Sequence, residues 1–572
     1  MNNYQWLMLR FSGNLRVVNR KVILMDIKAT TGKLLKGDVK GVVQDVKYQI
    51  ERSVGLIGVI IISLSAMLGS GLFVLPSFAA MIMGEGIWLA FLLAASVVLP
   101  GALSKSELAS GMPSSGGSYV YLERTYGPLV GTISGLGLWA SFLLKSSFAL
   151  IGFSAYMYTV TTYFDINLNT YVVSITALVL ITVVNIMGVK KVKAIQAPIL
   201  GLTLSLLVII SIMALFDSTT ELSRPWDAAM GTDVWTIAET SAFVFVAYAG
   251  VTKVAAIGGE VKNPGKNLPY GIMISLLIAT ILYCSITYIM MAAIPGEWWV
   301  ANGETIEDPI YAFVSTVAGT KVGVVAACLA ILTMISMALS GILAASRFLF
   351  AMARDSLLPQ SLEELNSKYE TPHWPIIVTA TVMGVAILTL PVKDVAKLAS
   401  GFKIMIFIMI NSCVIVLRQT SFKHEWNPDY KGPLYPIIHL WGIVAGLVLV
   451  YIMGEKALIG AVAAIVMGLV VYYFYGKKHS HPRITPFTTF RKEFRNPTAT
   501  EHDKREVAFH AADMGRKGHL TLKEFQVAMH ALNFSFDDEE CRVIFHEIDL
   551  DQNGYIDIEE FIIQFENDTD SD

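Results

Sequence analysis

Oxygen-bearing side chains recur at fixed intervals near the C-terminus, in the twelve residues from Asp549 to Glu560. Positions 1, 3, 5, 9 and 12 supply Asp549, Asp551, Asn553, Asp557 and Glu560, position 7 offers the carbonyl of Tyr555, and position 6 is Gly554. This is the ligand spacing of a loop in which carboxylates and carbonyls surround Ca²⁺ and the glycine makes the turn. The sequence therefore predicts a calcium site here.

A related loop lies one unit earlier, from Asp513 to Glu524, and it makes the pair expected of an EF-hand domain. Its candidate ligands are Asp513, His519, Thr521 and Glu524. Gly515 at position 3 removes a ligand, and Lys517 at position 5 adds a repelling charge. We expect this loop to bind calcium weakly or not at all and to serve as the pairing half.

A membrane-length apolar stretch, residues 54–82, carries glycines near its centre, at Gly69-Ser70-Gly71. Each glycine disfavours a helix by about 1 kcal/mol, and backbone groups released from a helix in hydrocarbon are costly unless they line a cavity or bind a ligand. Broken helices hold substrate in many secondary transporters, whereas small residues also permit close contact between helices. The segment alone leaves both interpretations open.

Three lysines lie inside other apolar stretches: Lys145, Lys253 and Lys403. Ionisable residues at membrane depth are functional candidates by default. Lys145 and Lys253 are therefore candidates for a proton-linked or fixed cation. The alternative is a lysine that extends to water or pairs structurally, and this alternative is favoured for Lys403.

The elements that must position these residues are membrane helices. The chain has 572 residues, of which 54% are hydrophobic and 16% charged, against about 25% charged residues in a soluble domain. Twelve stretches approach the length of about 20 apolar residues that a transmembrane helix needs. They lie near residues 54–82, 87–108, 129–162, 171–188, 195–216, 233–258, 270–294, 322–350, 374–391, 396–417, 436–454 and 456–475.

Composition divides the chain into four parts. Residues 1–52 form a basic segment, with Met25 as an alternative start, and residues 53–476 hold the twelve apolar stretches. Residues 477–500 form a linker, and residues 501–572 are acidic, with 19 Asp and Glu against 6 Lys and Arg. The last part is predicted to be a small α-helical domain.

Lysine and arginine are distributed unequally between alternate loops. If the N-terminus lies inside, the inner loops carry 15 of these residues and the outer loops carry 5. Positive charge collects on the cytoplasmic side of membrane proteins. We therefore expect a multi-pass protein of the plasma or inner membrane with both termini in the cytoplasm.

Four ordered motifs extend over roughly residues 50–475. They are Gly69-Ser70-Gly71; Glu107-Leu108 with Pro113-Ser114-Ser115-Gly116-Gly117-Ser118-Tyr119 and Gly127-Pro128-Leu129-Val130-Gly131; Phe245-Val246-Ala247-Tyr248-Ala249-Gly250 with Gly259-Glu260-Val261-Lys262-Asn263-Pro264; and Ser346-Arg347 with Ala351-Met352-Ala353-Arg354-Asp355 and Leu358-Pro359. Together they resemble the amino acid–polyamine–organocation superfamily.

The resemblance implies an all-α, LeuT-type membrane fold with twelve transmembrane helices, in which two inverted five-helix repeats place unwound spans 1 and 6 face to face. Half-helix N–H groups suit a carboxylate, and freed carbonyls suit an ammonium. The resemblance assigns the carboxylate to Gly69, Ser70 and Gly71, and the ammonium to carbonyls near Met67, Val246, Ala247, Tyr248 and Ala249. Tyr248, Ala249 and Gly250 would select the side chain.

The sequence departs from part of this family in span 5. Proton-coupled relatives often carry a lysine there, and this chain has none between residues 194 and 216. Thr203 is placed near that position, and span 8 offers Ser336 and Ser340. Sodium coupling, proton coupling through another lysine, and exchange all stay open.

The sequence therefore predicts a secondary amino acid transporter, favouring neutral substrates, with a cytoplasmic EF-hand pair through which Ca²⁺ modulates transport. The alternative is a transporter-derived receptor that senses an amino acid without significant flux. A calcium-gated channel is disfavoured because no pore-helix and filter segment interrupts the pattern. No motif indicates an enzyme, and nothing points to a nucleic-acid partner.

Overall fold

The computed structural model describes residues 54–561 except 115, 167, 252, 302–303, 367–368, 370, 421–425, 481–484, 496–508, 510–511, 514–517, 532–537 and 552. The basic segment predicted for residues 1–52 lies outside the described residues. The first eleven helices are α1 Leu56–Met67, α2 Ser70–Phe73, α3 Leu75–Met83, α4 Ile87–Gly111, α5 Ser118–Tyr126, α6 Pro128–Tyr163, α7 Thr170–Ile186, α8 Val189–Phe216, α9 Ser223–Gly231, α10 Val234–Val244 and α11 Pro264–Ala293. They are followed by α12 Pro309–Ala318, α13 Thr320–Arg354, α14 His373–Thr389, α15 Val392–Gln419, α16 Ile437–Ile452, α17 Glu455–Val471, α18 Lys477–His479, α19 Pro486–Arg495, α20 Leu522–Ala531 and α21 Asp538–Ile548.

The chain is an all-helical membrane protein. In the described part, eight helices are long and apolar enough to cross a membrane, by length and composition, and five shorter apolar helices of 10–17 residues accompany them. Each of the twelve stretches predicted from the sequence contains a helix. The described residues also include two short antiparallel strand pairs. Strand β1 Val300–Ala301 pairs with β2 Glu304–Thr305, and β3 His519–Leu520 pairs with β4 Ile556–Asp557.

The first apolar stretch is broken where its glycines predict. Helix α1 ends at Met67, and the backbone of Gly69 has φ −69° and ψ −118°, which is outside the helical region. One short turn, α2, follows, and α3 begins only after Val74, whose φ is −131°. The predicted interruption of this helix is confirmed.

The sixth apolar stretch is broken as well. Helix α10 ends at Val244, and 3-10 turns follow over Phe245–Gly250, Lys253–Ala256 and Gly258–Glu260 before α11 begins at Pro264. The 3-10 hydrogen-bond geometry is poorer than that of an α-helix, and such runs within a helix often mark a hinge or strain. Both breaks are buried.

Two long helices run through the interior beside these breaks. Helix α6 has 36 residues and α13 has 35, and they pack against each other over much of their length. Helix α15 packs on α6, and α11 packs on both α1 and α4. The two broken segments are therefore enclosed by continuous helices.

The C-terminal part has its own small core. It is built around Phe509, Phe525, Phe545 and Phe561. The β3–β4 pair joins the two loops in which the sequence predicts candidate calcium ligands, with His519 opposite Asp557 and Leu520 opposite Ile556. This pairing confirms that the two loops form one unit.

Candidate functional site

The two helix breaks contact each other directly. Gly250 lies so close to the other break that a side chain there would overlap the carbonyl of Ala66 and stand 2.7 Å from the nitrogen of Met67. A side chain at Gly71 would stand 3.0 Å from Cβ of Ala247. The structure therefore brings together the residues predicted from both breaks.

The N–H groups of the first break point to a residue that the sequence did not indicate. The backbone nitrogen of Ser70 donates to Sδ of Met337 at 3.2 Å, and Oγ of Ser70 lies 3.6 Å from the same sulfur. A side chain at Gly69 would also overlap Met337. Met337 lies in an apolar run of α13, where a methionine gives no signal of a special role.

The carbonyls of the two breaks are bonded by two side chains. The Tyr283 hydroxyl donates to the carbonyl of Met67 at 2.7 Å and lies 3.4 Å from that of Ala247. Nζ of Lys145 donates to the same Ala247 carbonyl at 3.1 Å. Lys145 is thus placed at the break itself, as its position in the middle of an apolar stretch suggested, whereas Tyr283 carried no such signal.

Tyr248 and Gly250 have close structural neighbours. The Tyr248 hydroxyl donates to the carbonyl of Phe91 at 3.1 Å, and its ring meets that of Tyr283 edge-on with centroids 5.1 Å apart. The space that a side chain at Gly250 would need is occupied by the backbone of α1. Among the residues expected to select a side chain, these two fix the shape of the breaks.

The candidate coupling residues form two separate contacts. Nζ of Lys253 donates to Oγ of Ser340 at 2.6 Å. Thr203 instead meets Thr333, with their hydroxyls 3.0 Å apart. The carbonyl of Ser336 accepts from the side-chain amide of Gln196 at 3.1 Å, so Thr203, Ser336 and Ser340 are not joined by direct hydrogen bonds.

The residues at the start of α5 and just before it contact the last part of the second break. The nitrogen of Gly116 donates to the carbonyl of Ala256 at 3.1 Å. Gly117 has φ +47°, and a side chain there would stand 2.6 Å from the carbonyl oxygen of Ala255, so only glycine fits. The Tyr119 hydroxyl donates to Asp355 at 2.8 Å. The N-terminal end of α5 therefore joins the second break to the end of α13.

The same segment is held from two other directions. Val54 and Val261 form a parallel β-bridge, with the nitrogen of Lys262 donating to the carbonyl of Val54 at 2.8 Å. Arg347 forms an ion pair with Glu260 at 2.8 Å. These contacts join the start of α1, the end of the second break and α13.

The C-terminal end of α5 contacts the linker helix α19. Phe487 of α19 packs on the ring of Tyr126 with centroids 5.1 Å apart. The Tyr126 hydroxyl lies 2.7 Å from that of Ser412 in α15, and Thr125 lies 2.9 Å from Sγ of Cys413. Helix α19 thus packs against both α5 and α15.

The second calcium-binding loop has the arrangement of an ion site. One carboxylate oxygen from each of Asp549, Asp551 and Glu560 lies within 4.8 Å of the others. Backbone nitrogens of Asn553 and Gly554 donate to Asp549 at 3.0 and 2.9 Å, which curls the loop around these oxygens. Carboxylate oxygens are the ligands that Ca²⁺ prefers, so the residues fit that ion.

Two other predicted ligands of this loop are bonded within it. The Asn553 amide donates to Asp551 at 2.6 Å, and Asp557 accepts from the nitrogen of Glu560 at 2.8 Å. The ring of Tyr555, whose carbonyl is the predicted ligand at position 7, packs on His519 with centroids 4.4 Å apart.

The first loop keeps only part of this arrangement. Asp513 accepts from the nitrogen of Gly518 at 2.8 Å, and Glu524 accepts from the nitrogen and hydroxyl of Thr521 at 2.9 and 2.8 Å. His519 is held in the β-pair between the loops. Asp513 and Glu524 thus retain structural hydrogen bonds at the two ends of the loop.

Comparisons with known proteins agree with this geometry. A family model described as amino acid permease matches residues 54–482, and a model of an EF-hand domain pair matches residues 504–566. The branched-chain amino acid permease BcaP of Bacillus subtilis is 28% identical over 455 residues, which cover 75% of this chain and 94% of that protein.

Two further relatives differ in the substrates that their names give. The serine/threonine exchanger SteT of Bacillus subtilis is 26% identical, over 75% of this chain and 97% of that protein. The vacuolar cationic amino acid transporter 4 of Arabidopsis thaliana is 25% identical, over 65% of this chain and 64% of that protein. Since the family match covers most of the chain, this protein belongs to the amino acid permease family and carries an EF-hand pair at its C-terminal end.

Proposed function

We propose that this protein is a secondary active transporter of neutral α-amino acids that works by alternating access and is modulated by Ca²⁺. The single observation that carries the proposal is the direct contact of two broken helices, where Gly250 touches the backbone of Ala66. Discontinuous helices paired in this way are how many secondary transporters bind substrate at the midplane.

The two kinds of backbone group at the breaks support a zwitterionic ligand. The nitrogen of Ser70 opens α2 and can donate to a carboxylate, while the carbonyls of Met67 and Ala247 can accept from an ammonium. Met337 and Lys145 now bond these groups. In the proposed cycle a substrate replaces those two contacts with its own carboxylate and amine.

The architecture we propose has twelve transmembrane helices, ten of them in two inverted repeats of five. The asymmetry of lysine and arginine between loops supports cytoplasmic termini in the cell membrane. In that orientation α5 and the EF-hand pair lie on the same, cytoplasmic side. The contact between Phe487 and Tyr126 is consistent with this arrangement.

Two contacts are candidates for the coupling ion. The buried ammonium of Lys253, bonded to Ser340, supports a proton-linked or fixed cation between the second break and α13. The hydroxyl pair of Thr203 and Thr333 offers oxygens to a sodium ion. Uptake driven by a proton gradient alone would favour the first contact, and uptake that requires sodium would favour the second.

Calcium modulation is supported by a continuous series of contacts. Helix α19 follows the last apolar helix and precedes the EF-hand pair, and Phe487 packs on the last residue of α5. Just before α5, the nitrogen of Gly116 donates to the carbonyl of Ala256 in the last part of the second break. A displacement of α19 when Ca²⁺ binds would therefore act on the segment that must move during transport.

Uptake by proteoliposomes tests the proposal. We expect counterflow of labelled neutral amino acids that is lost in a Ser70→Ala/Gly71→Ala variant and kept in Gly201→Ala, because nothing lies within 4 Å of a side chain at Gly201. Saturable binding without flux would instead identify the receptor alternative. Neither flux nor binding under any ion gradient would refute the substrate class.

A second arm tests the modulation. Micromolar Ca²⁺ on the EF-hand side should change the uptake rate, and Glu560→Gln should remove that response. Phe487→Ala should also remove it while leaving Ca²⁺ binding intact, since the ring packs on Tyr126 and lies outside both loops. Phe216→Ala, which truncates a ring that is 87% exposed, is the matched control. A full calcium response in Phe487→Ala would refute this route.

A further inference from the structure

Two buried lysines face one aromatic ring beside the helix breaks, and a third lies one helical turn from that ring. Nζ of Lys403 lies 4.6 Å from the centroid of the Phe142 ring, and Nζ of Lys253 lies 5.9 Å from it. Lys145 stands three residues after Phe142 on α6, which is one helical turn. The three side chains come from three separate parts of the chain, and each is at most 6% exposed.

Among the described residues, two members of the cluster have no neutralising carboxylate. In the part of the chain that the structure describes, Lys145 and Lys253 take part in no ion pair. The charged groups that act on Lys145 are Lys253 and Lys403, and the one that acts on Lys253 is Lys403. Lys145 and Lys253 are therefore influenced by other lysines.

The cluster is continuous with the proposed substrate site. Lys145 donates to the carbonyl of Ala247, which belongs to the second break. Lys253 donates to Ser340, whose hydroxyl donates in turn to the carbonyl of Met337 at 3.0 Å. Met337 accepts from the nitrogen of Ser70 in the first break. A ligand held by both breaks is thus within one or two side chains of the cluster.

We propose that the cluster of Lys145, Lys253 and Lys403 is an electrostatic selectivity site that excludes cationic amino acids and amines. The inference rests on the proposed function and names the residues that set its preference for neutral substrates. Family membership alone does not determine the charge of the substrate's side chain, because the names of the relatives above include both neutral and cationic amino acids.

The physical reason is repulsion in a site shielded from water. An ammonium that enters the cluster meets the charge of any lysine that holds its proton, or it must lose its own proton, and either event costs free energy. Because the site is buried, solvent screens this repulsion little. A neutral side chain of the same length has no such cost.

A competition assay separates charge from size. L-norleucine and L-lysine have similar length, and each is added unlabelled during counterflow of a labelled neutral amino acid. We expect norleucine to inhibit the unaltered protein and lysine to require at least about tenfold higher concentration, the ratio that corresponds to about 1.4 kcal/mol. Equal inhibition by the two compounds would overturn the inference and leave amino acid transport by alternating access standing.

Variants of Lys403 test whether its charge is responsible for the exclusion of cationic amino acids. Lys403→Met should lower the ratio of the inhibitory concentration of L-lysine to that of L-norleucine by at least about threefold, whereas Lys403→Arg should keep this ratio high. Lys393→Met is the matched control, since it removes the same charge from an exposed position on the same helix.

Two further results complete the test. If Lys403→Met folds, as judged by a single peak in size-exclusion chromatography, and excludes lysine as before, the assignment of exclusion to this cluster is overturned. If it does not fold, the inference is judged by whether L-lysine inhibits less than L-norleucine in the unaltered protein and in Lys403→Arg. Equal inhibition in either protein would overturn it. Absence of uptake and binding of every amino acid would refute the proposed function itself, together with the inference that depends on it.

Discussion

Replacement of Gly250 by alanine is the sharpest perturbation that the structure offers. The added Cβ would overlap the carbonyl oxygen and carbon of Ala66 and stand 2.7 Å from the nitrogen of Met67. All three atoms belong to the backbone of α1 and its end, so no side-chain rotation can relieve the contact. The two broken helices must therefore move apart.

The size of the effect follows from this geometry. Overpacking of a buried site typically costs about 1–3 kcal/mol, and here relief also displaces the Met67 carbonyl that accepts from Tyr283. A misplacement of about 1 Å in a positioned site can cost on the order of 100-fold in rate. We expect Gly250→Ala to lower the transport efficiency by about 10- to 100-fold and to lower thermal stability.

The assay compares this variant with a glycine in open space. Gly201 lies within α8, and nothing stands within 4 Å of a side chain built there. Gly201→Ala should keep full uptake and stabilise its helix by up to about 1 kcal/mol. Both variants are measured by counterflow in proteoliposomes and by thermal unfolding in detergent. Wild-type uptake and stability in Gly250→Ala would refute the close approach of the two breaks.

Three further predictions concern parts of the chain outside the breaks. Glu560→Gln should weaken Ca²⁺ binding by at least about tenfold in calorimetry on the full protein, because position 12 supplies a carboxylate of the oxygen cluster, whereas Glu524→Gln should change it little. Burial raises the pKa of Asp308, in the loop before α12, to about 6, so the folded state binds more protons than the unfolded one between about pH 4 and 6. Stability should therefore fall by up to about 3 kcal/mol as the pH rises through that window, and thermal unfolding of Asp308→Asn should lose this slope. Glu107→Gln should lower the stability by about 3 kcal/mol in the same measurement, because Glu107 is fully buried and Arg418 donates to both of its oxygens.

The first helix break was predictable because its cause is local. Gly69 and Gly71 weaken a helix by their own backbone freedom, so a few adjacent residues are enough to predict the interruption. The calcium-binding loop was predictable for the same reason, since its ligands lie within twelve residues. Identification of the family also depended on short ordered motifs.

The partners of the breaks were not predictable, because each comes from a distant part of the chain. Met337 and Tyr283 are separated from the first break by 267 and 216 residues. A methionine or tyrosine in an apolar helix is an ordinary packing residue by its sequence. The sequence favours for Lys403 a lysine that extends to water or pairs structurally, and only the packing of α15 against α6 brings it to Phe142.

The proposed selectivity and the proposed regulation would act on the same segment, because the lysine cluster and the linker helix are both connected to it. Residues 245–260 contain the second break and include Lys253. Gly116 and Gly117, just before α5, contact the last part of this segment, and Phe487 packs on the opposite end of α5. A change in α19 would alter the position of Ala255 and Ala256 and, two residues away, that of Lys253. Calcium should therefore change not only the uptake rate but also the ratio of lysine to norleucine inhibition, and a calcium effect on rate with an unchanged ratio would indicate that the two act through different contacts.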